Sequence, residues 1–98
     1  MSAPPDVSKS TTIVASDDCL STTTDGESVI LHVEHGEYYG FNEVGTDIWE
    51  FAQEPRSVDE ICQMVRSSYD VGEARCLNDV TELVEEMLDL ELVTTVDP

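Results

Sequence analysis

Basic residues are nearly absent from this chain of 98 residues, which holds 4 Lys and Arg against 22 Asp and Glu. Its formal net charge at pH 7 is therefore −18. Nucleic-acid-binding proteins gain much of their affinity from Lys and Arg side chains that neutralise phosphates. Anionic membrane surfaces attract clusters of the same residues. The charge balance argues against both kinds of partner, so no nucleic acid and no membrane is expected.

Long apolar runs and paired cysteine motifs are also missing. The longest purely apolar runs, such as Val29–Leu31, have only three residues, whereas a bilayer-spanning helix needs about 20 apolar residues. The N-terminus has no basic segment followed by an apolar one, so no secretory signal is expected. Cys19, Cys62 and Cys76 form no C-x-x-C pair, which argues against a disulfide framework and a zinc knuckle. We expect a cytoplasmic protein whose cysteines fill small spaces in the core.

The acidity itself has two interpretations. Carboxylates are spread from Asp6 to Asp97 without a long block, which favours a halophilic protein adapted to molar salt. There the screening length falls to about 3 Å and self-repulsion is suppressed. The alternative is an acidic face that meets a basic partner. A hydrophobic fraction of 40% is too high for a disordered acidic tail in either case.

The chain divides into a short tail and one domain. Residues 1–12 are rich in Pro, Ser and Thr, a composition typical of a flexible N-terminal tail. Residues 13–98 contain all the periodic apolar patterns and are predicted to form the domain. Asp25-Gly26 and Gly36 mark tight turns between β-type runs, and they predict a meander of three antiparallel strands. The β-type runs are Ile13–Ala15, Cys19–Thr23, Ser28–Val33 and Tyr38–Phe41.

After Phe41 the apolar period changes to that of helices. Asn42 is a good N-cap for a first helix, and Ser57 with Glu60 forms a capping box for a second. A single apolar stripe predicts a third helix from residue 73 or 77 to residue 89, followed by a short strand or wing at Leu90–Val93. The predicted fold is α+β and winged helix-turn-helix-like, with a three-stranded antiparallel sheet followed by three helices.

No constellation of residues indicates catalysis. The chain has no nucleophile elbow and no Gly-rich phosphate loop. His32 and His35 are three residues apart, and in an extended strand this spacing sends the two rings to opposite faces unless the turn intervenes. No catalytic residue, metal site or cofactor is therefore predicted. An acyl or peptidyl carrier is also disfavoured, because the chain lacks Asp-Ser-Leu and Ser57 is used as a cap.

Four short motifs occur in one colinear order over residues 13–96. The first is Asn-x-x-Gly-x-x-Ile-Trp at Asn42–Trp49, which follows the Tyr-Tyr strand. The others are Ser-Val-x-Glu-Ile at Ser57–Ile61, Tyr-Asp-Val at Tyr69–Val71, and an apolar helix with a Leu-rich exit at Asp79–Val93. In this combination the chain resembles the PqqD-like family, the leader-recognition domains of ribosomally made, post-translationally modified peptides.

Two positions depart from the usual family pattern. Phe41 stands where leucine is common, and Glu91-Leu92 stands where Gly-Leu is common. Neither changes the apolar pattern, but both leave the subfamily open. The Tyr-Tyr strand and the Ile-Trp helix are most similar to the stand-alone recognition proteins of lasso-peptide clusters. PqqD-type peptide chaperones of a radical SAM enzyme are the alternative.

The resemblance implies a non-catalytic protein that captures the leader of a precursor peptide. The leader would add a strand to the third strand of the sheet, in the groove against the third helix. The protein would then present it to a modifying enzyme or leader protease, without a cofactor. The peptide-binding residues expected on this basis are Glu37, Tyr38, Tyr39, Gly40, Phe41, Leu77, Val80, Leu83, Val84 and Met87.

Two other roles remain as alternatives. A winged-helix transcription regulator shares the predicted fold, but its third helix would have to approach phosphates. Asp79, Glu82 and Glu85 on that helix would repel them. The chain could also act only as a tethered subunit of a modifying enzyme.

Overall fold

Two small antiparallel sheets and three helices make up the structure, a computed structural model that describes residues 7–96. The predicted α+β class, with a three-stranded meander followed by three helices, is confirmed. The elements, in chain order, are β1 (Thr12–Ala15), β2 (Cys19–Thr24), β3 (Glu27–His32), β4 (Glu37–Phe41), α1 (Glu43–Phe51), β5 (Arg56–Ser57), α2 (Val58–Ser68), α3 (Glu73–Asp89) and β6 (Val93–Thr95).

The meander has the strand order β2-β3-β4. Asp25 and Gly26 join its first two strands with φ angles of 53° and 81°, the left-handed pair that a tight hairpin turn requires. Gly36, with φ of 68°, ends the turn between β3 and β4. These residues are the turn signals present in the sequence, so the meander follows from local chemistry.

The second sheet joins distant parts of the chain in the order β5-β1-β6. Ile13 of β1 pairs with Arg56 of β5 on one side and with Thr95 of β6 on the other, and its side chain is fully buried. This sheet was not predicted. β5 has only two residues and shows no alternating pattern, while β1 and β6 need each other as partners.

The helix boundaries follow the predicted caps. The Asn42 side chain accepts a hydrogen bond from the Gly45 N–H at 3.0 Å, and Ser57 and Glu60 form the reciprocal capping box. The helix α3 begins at the earlier of the two predicted starts. None of the helices in residues 7–96 is long and apolar enough to cross a membrane.

The helices pack on one face of the meander. Alternation along β3 buries Ser28, Ile30 and His32 on this inner face. The Trp49 indole N–H donates to Ser21 Oγ at 3.0 Å and so ties α1 to β2. The opposite, outer face exposes large apolar side chains, among them Tyr38 at 71%. Because the helices cover only one face of the meander, only the β4 side chains on that face can reach them.

The predicted tail, residues 1–12, is only partly described. Residues 1–6 lie outside the described part of the chain. Val7 packs against the core, and the carbonyls of Lys9 and Thr11 accept hydrogen bonds from the backbone N–H groups of Asp59 and Val58. The division into a tail and a domain from residue 13 to residue 98 stays a prediction.

Candidate functional site

A free strand edge lies beside a cavity on the helical side of the meander. Within residues 7–96, β4 pairs only with β3, so the other edge of β4 has no strand partner. A cavity of about 480 Å³ opens between the end of β4, the first turns of α1 and the length of α3. This volume is within the range of about 300–1,000 Å³ that is typical of ligand pockets. The cavity lining consists of Gly40, Phe41, Asn42, Val44, Gly45, Ile48, Val65, Tyr69, Val71, Cys76, Asp79, Val80, Leu83 and Glu86.

The cavity is apolar at its base. Ile48, Val65 and Val80 come from three different helices and are almost fully buried. Half-buried side chains, among them Phe41 and Leu83, stand around them. The helical periods place these residues together, because each helix turns its apolar stripe toward the same space. The base can therefore accept an apolar side chain.

Gly45 allows α1 to begin close to the strand. A Cβ atom built on Gly45 would lie 2.9 Å from Cδ1 and 3.1 Å from Cβ of Phe41. Only glycine lets the first turn of α1 approach the Phe41 ring this closely without a shift of either group. The position of Phe41 in the cavity wall thus depends on Gly45.

Carboxylates line the mouth of the cavity. Asp79 and Glu86 lie on α3 along its edge. The Tyr69 hydroxyl donates to Asp47 Oδ2 at 2.7 Å, and this hydrogen bond, with desolvation as a smaller cause, raises the pKa of Tyr69 to about 12. No Lys or Arg is present among the described residues that line the cavity. Arg75, one turn before Asp79 on α3, lies 3.6 Å from the Asp79 carboxylate and offsets part of its charge. Glu86 has no ion-pair partner among residues 7–96 and is the main source of negative charge at the mouth.

The start of β4 presents a second pair of polar groups. Tyr39 lies half-buried on the inner face, and its hydroxyl donates to Glu37 Oε2 at 2.6 Å. This bond raises the pKa of Tyr39. Tyr38 points to the opposite, outer face of the sheet, as the alternation of a strand requires. Glu37, Tyr38 and Tyr39 do not line the cavity.

The structure divides the predicted residues of α3 into three groups. Val80 and Leu83 line the cavity together with Gly40 and Phe41. Val84 and Met87 have no exposed surface, lie in the core and do not line the cavity. Leu77 is half-buried beside a separate small cavity of about 40 Å³, together with Lys9 and Asp59. Because α3 packs against other elements on more than one side, its apolar stripe alone does not indicate which flank is open.

Several lining residues were missed by the sequence analysis. Ile48 and Val44 belong to α1, for which no peptide-binding residue was predicted. Tyr69 and Val71 come from the connection between α2 and α3, for which no peptide-binding residue was predicted either. Their membership in a colinear motif, Tyr-Asp-Val, is the signal that could have identified them.

The two histidines are closer than expected. Their rings stack with centroids 3.8 Å apart and an angle of 6° between the planes. The exception stated for this spacing applies: β3 ends at His32 and the chain turns before His35, so the two rings are not on opposite faces of a strand. The Gly36 N–H donates to the His32 carbonyl at 2.8 Å and closes this turn.

Comparisons with known proteins agree with one another. The family model described as coenzyme PQQ synthesis protein D (PqqD) matches residues 27–93. A solved structure of TbiB1 in complex with the TbiA(beta) leader peptide is similar, with a TM-score of 0.79 and 27% identity, covering 87% of this chain and 99% of that chain. Lasso peptide synthetase B1 complexed with the leader peptide has the same fold, with a TM-score of 0.74 and 21% identity over 84% of this chain and 96% of that one. No curated protein sequence matches significantly.

Proposed function

Because this chain belongs to the PqqD family, we propose that it binds the leader segment of a ribosomally made precursor peptide. It is a non-catalytic partner that presents the bound peptide to a modifying enzyme or a leader protease. Lasso-peptide biosynthesis is the favoured setting, supported by the fold shared with lasso peptide synthetase B1. The solved structure of TbiB1, at 27% identity, contains a leader peptide, which supports the same role here.

The free edge of β4 beside the apolar cavity is the observation that carries the proposal. An extended peptide can pair with the unpaired N–H and C=O groups of an edge strand. Backbone hydrogen bonds then supply affinity without regard to sequence. Alternate side chains of the added strand point to the same side, so one of them can enter the cavity between Phe41 and Leu83. The cavity would supply the sequence preference.

The carboxylates at the cavity mouth suggest which residues accompany that apolar side chain. Asp79 and Glu86 lie along the rim, and no Lys or Arg is among the described lining residues. A basic side chain of the leader, next to the apolar one, would complement them. We expect Glu86→Gln to weaken the binding of a leader that carries such a basic residue, because Glu86 lacks an ion-pair partner in residues 7–96 whereas Asp79 lies 3.6 Å from Arg75. A leader without a basic residue should be unaffected.

The chemistry of the cavity supports a binding role rather than a catalytic one. Cys76 is the thiol among the described lining residues, and its Sγ contacts the Cys62 carbonyl oxygen at 3.7 Å rather than a base. Tyr69 holds its proton toward Asp47, and the raised pKa of this tyrosine disfavours its use as a base at neutral pH. Neither group is arranged as an activated nucleophile.

Titration of the ¹⁵N-labelled protein with a synthetic leader peptide tests the proposal. The peptide is taken from the precursor gene that neighbours this one. We expect saturable binding with amide shifts concentrated in β4, in the start of α1 and in residues 79–86. The absence of binding, or shifts confined to α2 and β5, would contradict it.

A matched pair of leucines on α3 sharpens the test. Leu83 lines the large cavity and Leu77 the small one on another flank, and both are half-buried. Leu83→Gln should weaken leader binding by roughly tenfold or more, because burial of a leucine side chain contributes about 1.5–3 kcal/mol. Leu77→Gln should bind like the unmodified protein. Equal effects of the two variants would show that the cavity does not select the leader.

The name of the family supports one alternative, a peptide chaperone for a radical SAM enzyme. The two settings differ in the partner enzyme rather than in the mode of peptide binding. A transglutaminase-like protease and an asparagine-synthetase-like cyclase encoded beside this gene would indicate lasso-peptide biosynthesis. A radical SAM enzyme in their place would indicate the alternative.

A further inference from the structure

Two histidines and one glutamate meet at the end of the molecule where β3 turns into β4. The stacked rings of His32 and His35 lie against the chain that follows α3, and His35 Nε2 is 3.5 Å from Glu91 Oε2. Each of the three residues offers one ligand atom, and these atoms all lie within 4.8 Å of one another. The residues come from distant parts of the sequence, so only the folded chain brings them together.

His32 is an unusual residue for a protein core. Its side chain is 1% exposed, and its Nδ1 accepts a long hydrogen bond, 3.3 Å, from the His35 N–H. Its Nε2 has no hydrogen-bond partner among residues 7–96. The ring instead borders a cavity of about 400 Å³, to which Glu91 and Asp18 also contribute. Because Nδ1 accepts this hydrogen bond, the neutral ring carries its proton on Nε2. An ion that enters from the cavity therefore has to replace the long hydrogen bond at Nδ1 or displace the proton from Nε2.

Glu91 provides a second, independent observation. It has a φ angle of 61°, in the left-handed region that favours glycine. The position directly after the C-cap of a helix commonly takes this conformation, and glycine usually occupies it. A residue with a Cβ atom is strained there, and such strain is concentrated at functional sites. In this chain the strained residue carries the carboxylate that reaches His35.

We propose that His32, His35 and Glu91 bind a single divalent transition-metal ion of the Zn²⁺ type. Imidazole nitrogens with one carboxylate suit Zn²⁺ and its first-row neighbours, whereas Mg²⁺ and Ca²⁺ prefer oxygen ligands. Bonds of about 2.0–2.1 Å require ligand atoms about 3.3 Å apart in a tetrahedron. The widest separation therefore has to shrink by about 1.5 Å. The stacked rings are parallel and each lone pair lies in its ring plane, so the His35 ring also has to rotate to face the same ion as His32. His35 and Glu91 are exposed enough for both movements.

The ion would join the β3–β4 turn to the exit of α3. Because the unfolded chain does not hold these residues together, the ion stabilises the folded state. The site is separate from the cavity between β4 and α3: none of its three residues lines that cavity. The inference therefore does not depend on leader binding.

Calorimetric titration of chelator-treated protein with ZnCl₂, together with thermal unfolding, tests the proposal. We expect one equivalent to bind at micromolar concentration and to raise the Tm by several degrees. Co²⁺ should give the visible d–d absorption of a low-coordinate nitrogen and oxygen site. Mg²⁺ at the same concentration should produce neither effect. An equal response to Mg²⁺ would mean that the surface carboxylates bind cations non-specifically, and it would overturn the proposal.

Three variants separate metal binding from folding. Glu91→Gly removes a ligand and also relieves the strain at φ of 61°, so it should be at least as stable as the parent without metal and should lose the response to Zn²⁺. His35→Ala should lose at least tenfold in affinity. Glu34→Gln removes an exposed carboxylate of the same turn that is not part of the cluster, and it should bind like the parent. Unchanged Zn²⁺ binding in Glu91→Gly would overturn the proposal.

Discussion

The hydroxyl of Tyr69 donates a 2.7 Å hydrogen bond to Asp47, and this bond joins the connection after α2 to the middle of α1. Both the Tyr69 ring and its neighbour Val71 line the cavity beside β4. The bond therefore holds one side of the cavity mouth in place. The folded structure also favours the protonated form of Tyr69, because an ionised Tyr69 would be repelled by the Asp47 carboxylate.

The stability of the protein should decrease between pH 10 and pH 12 as Tyr69 ionises. The pKa of Tyr69 is about 12 in the folded protein, against an ordinary value of 10. In that interval the unfolded chain has lost the phenolic proton and the folded chain retains it, so rising pH favours unfolding. Urea unfolding at pH 9 and at pH 11.5 measures the loss. Tyr69→Phe is the control and should show a smaller decrease; an identical decrease would mean that other groups cause it.

Gly45→Ala should destabilise the protein by about 1–2 kcal/mol. The added methyl would lie 2.9 Å from Phe41, and overpacking of this kind costs about 1–3 kcal/mol, partly offset by the better helix propensity of alanine. Because Phe41 lines the cavity, leader binding should weaken as well. Gly72→Ala is a matched control, since its added methyl would have no neighbour within 4 Å. Chemical denaturation measures both variants, and equal stabilities would contradict the role given to Gly45.

Sequence reasoning succeeded where structure is decided by neighbouring residues. The caps at Asn42 and Ser57 and the turn at Asp25-Gly26 each depend on contacts within a few positions, and all three occur as predicted. β5 was missed because two residues become a strand only when β1 lies beside them. The placement of His32 beside His35 was missed because strand alternation ends where a turn begins.

The same limit applies to the candidate site. The edge strand and the general position of the groove follow from the resemblance and from the element order. Which flank of α3 is open depends on how α3 packs, and Val84 and Leu83 are indistinguishable in the sequence pattern. In the structure Val84 is fully buried, whereas Leu83 borders the cavity. Adjacent residues on one helix therefore have different roles that only tertiary packing decides.

Val84→Asp should unfold the protein rather than weaken peptide binding selectively. Val84 has no exposed surface, and a buried, unpaired carboxylate costs several kcal/mol, comparable to the total stability of a small domain. Circular dichroism and thermal unfolding should show loss of the cooperative transition. Leu83→Gln, one residue away, should retain that transition. A folded Val84→Asp protein with weakened leader binding would instead place Val84 in the groove.

The Tm of the protein should increase strongly from low salt to molar KCl. The net charge is −18. Of the Lys and Arg side chains in residues 7–96, only those of Arg56 and Arg75 lie within ion-pair distance of a carboxylate. Repulsion between the carboxylates is therefore largely uncompensated. The screening length falls from about 10 Å at 0.1 M to about 3 Å at 1 M. We expect a rise of roughly 10 °C or more, since 1 kcal/mol shifts the Tm of such a domain by about 4–8 °C.

A variant with reversed surface charges separates screening from the general effect of salt on apolar burial. Glu82 and Asp89 are exposed on α3 and do not line the cavity. Replacing both with lysine should raise the Tm at low salt and reduce the further rise in KCl, because less repulsion remains to be screened. If the parent and the variant respond equally, the salt effect does not arise from the carboxylates. If the Tm of the parent does not change with KCl, the acidity is not an adaptation to high salt, and an acidic face for a basic partner becomes the better interpretation.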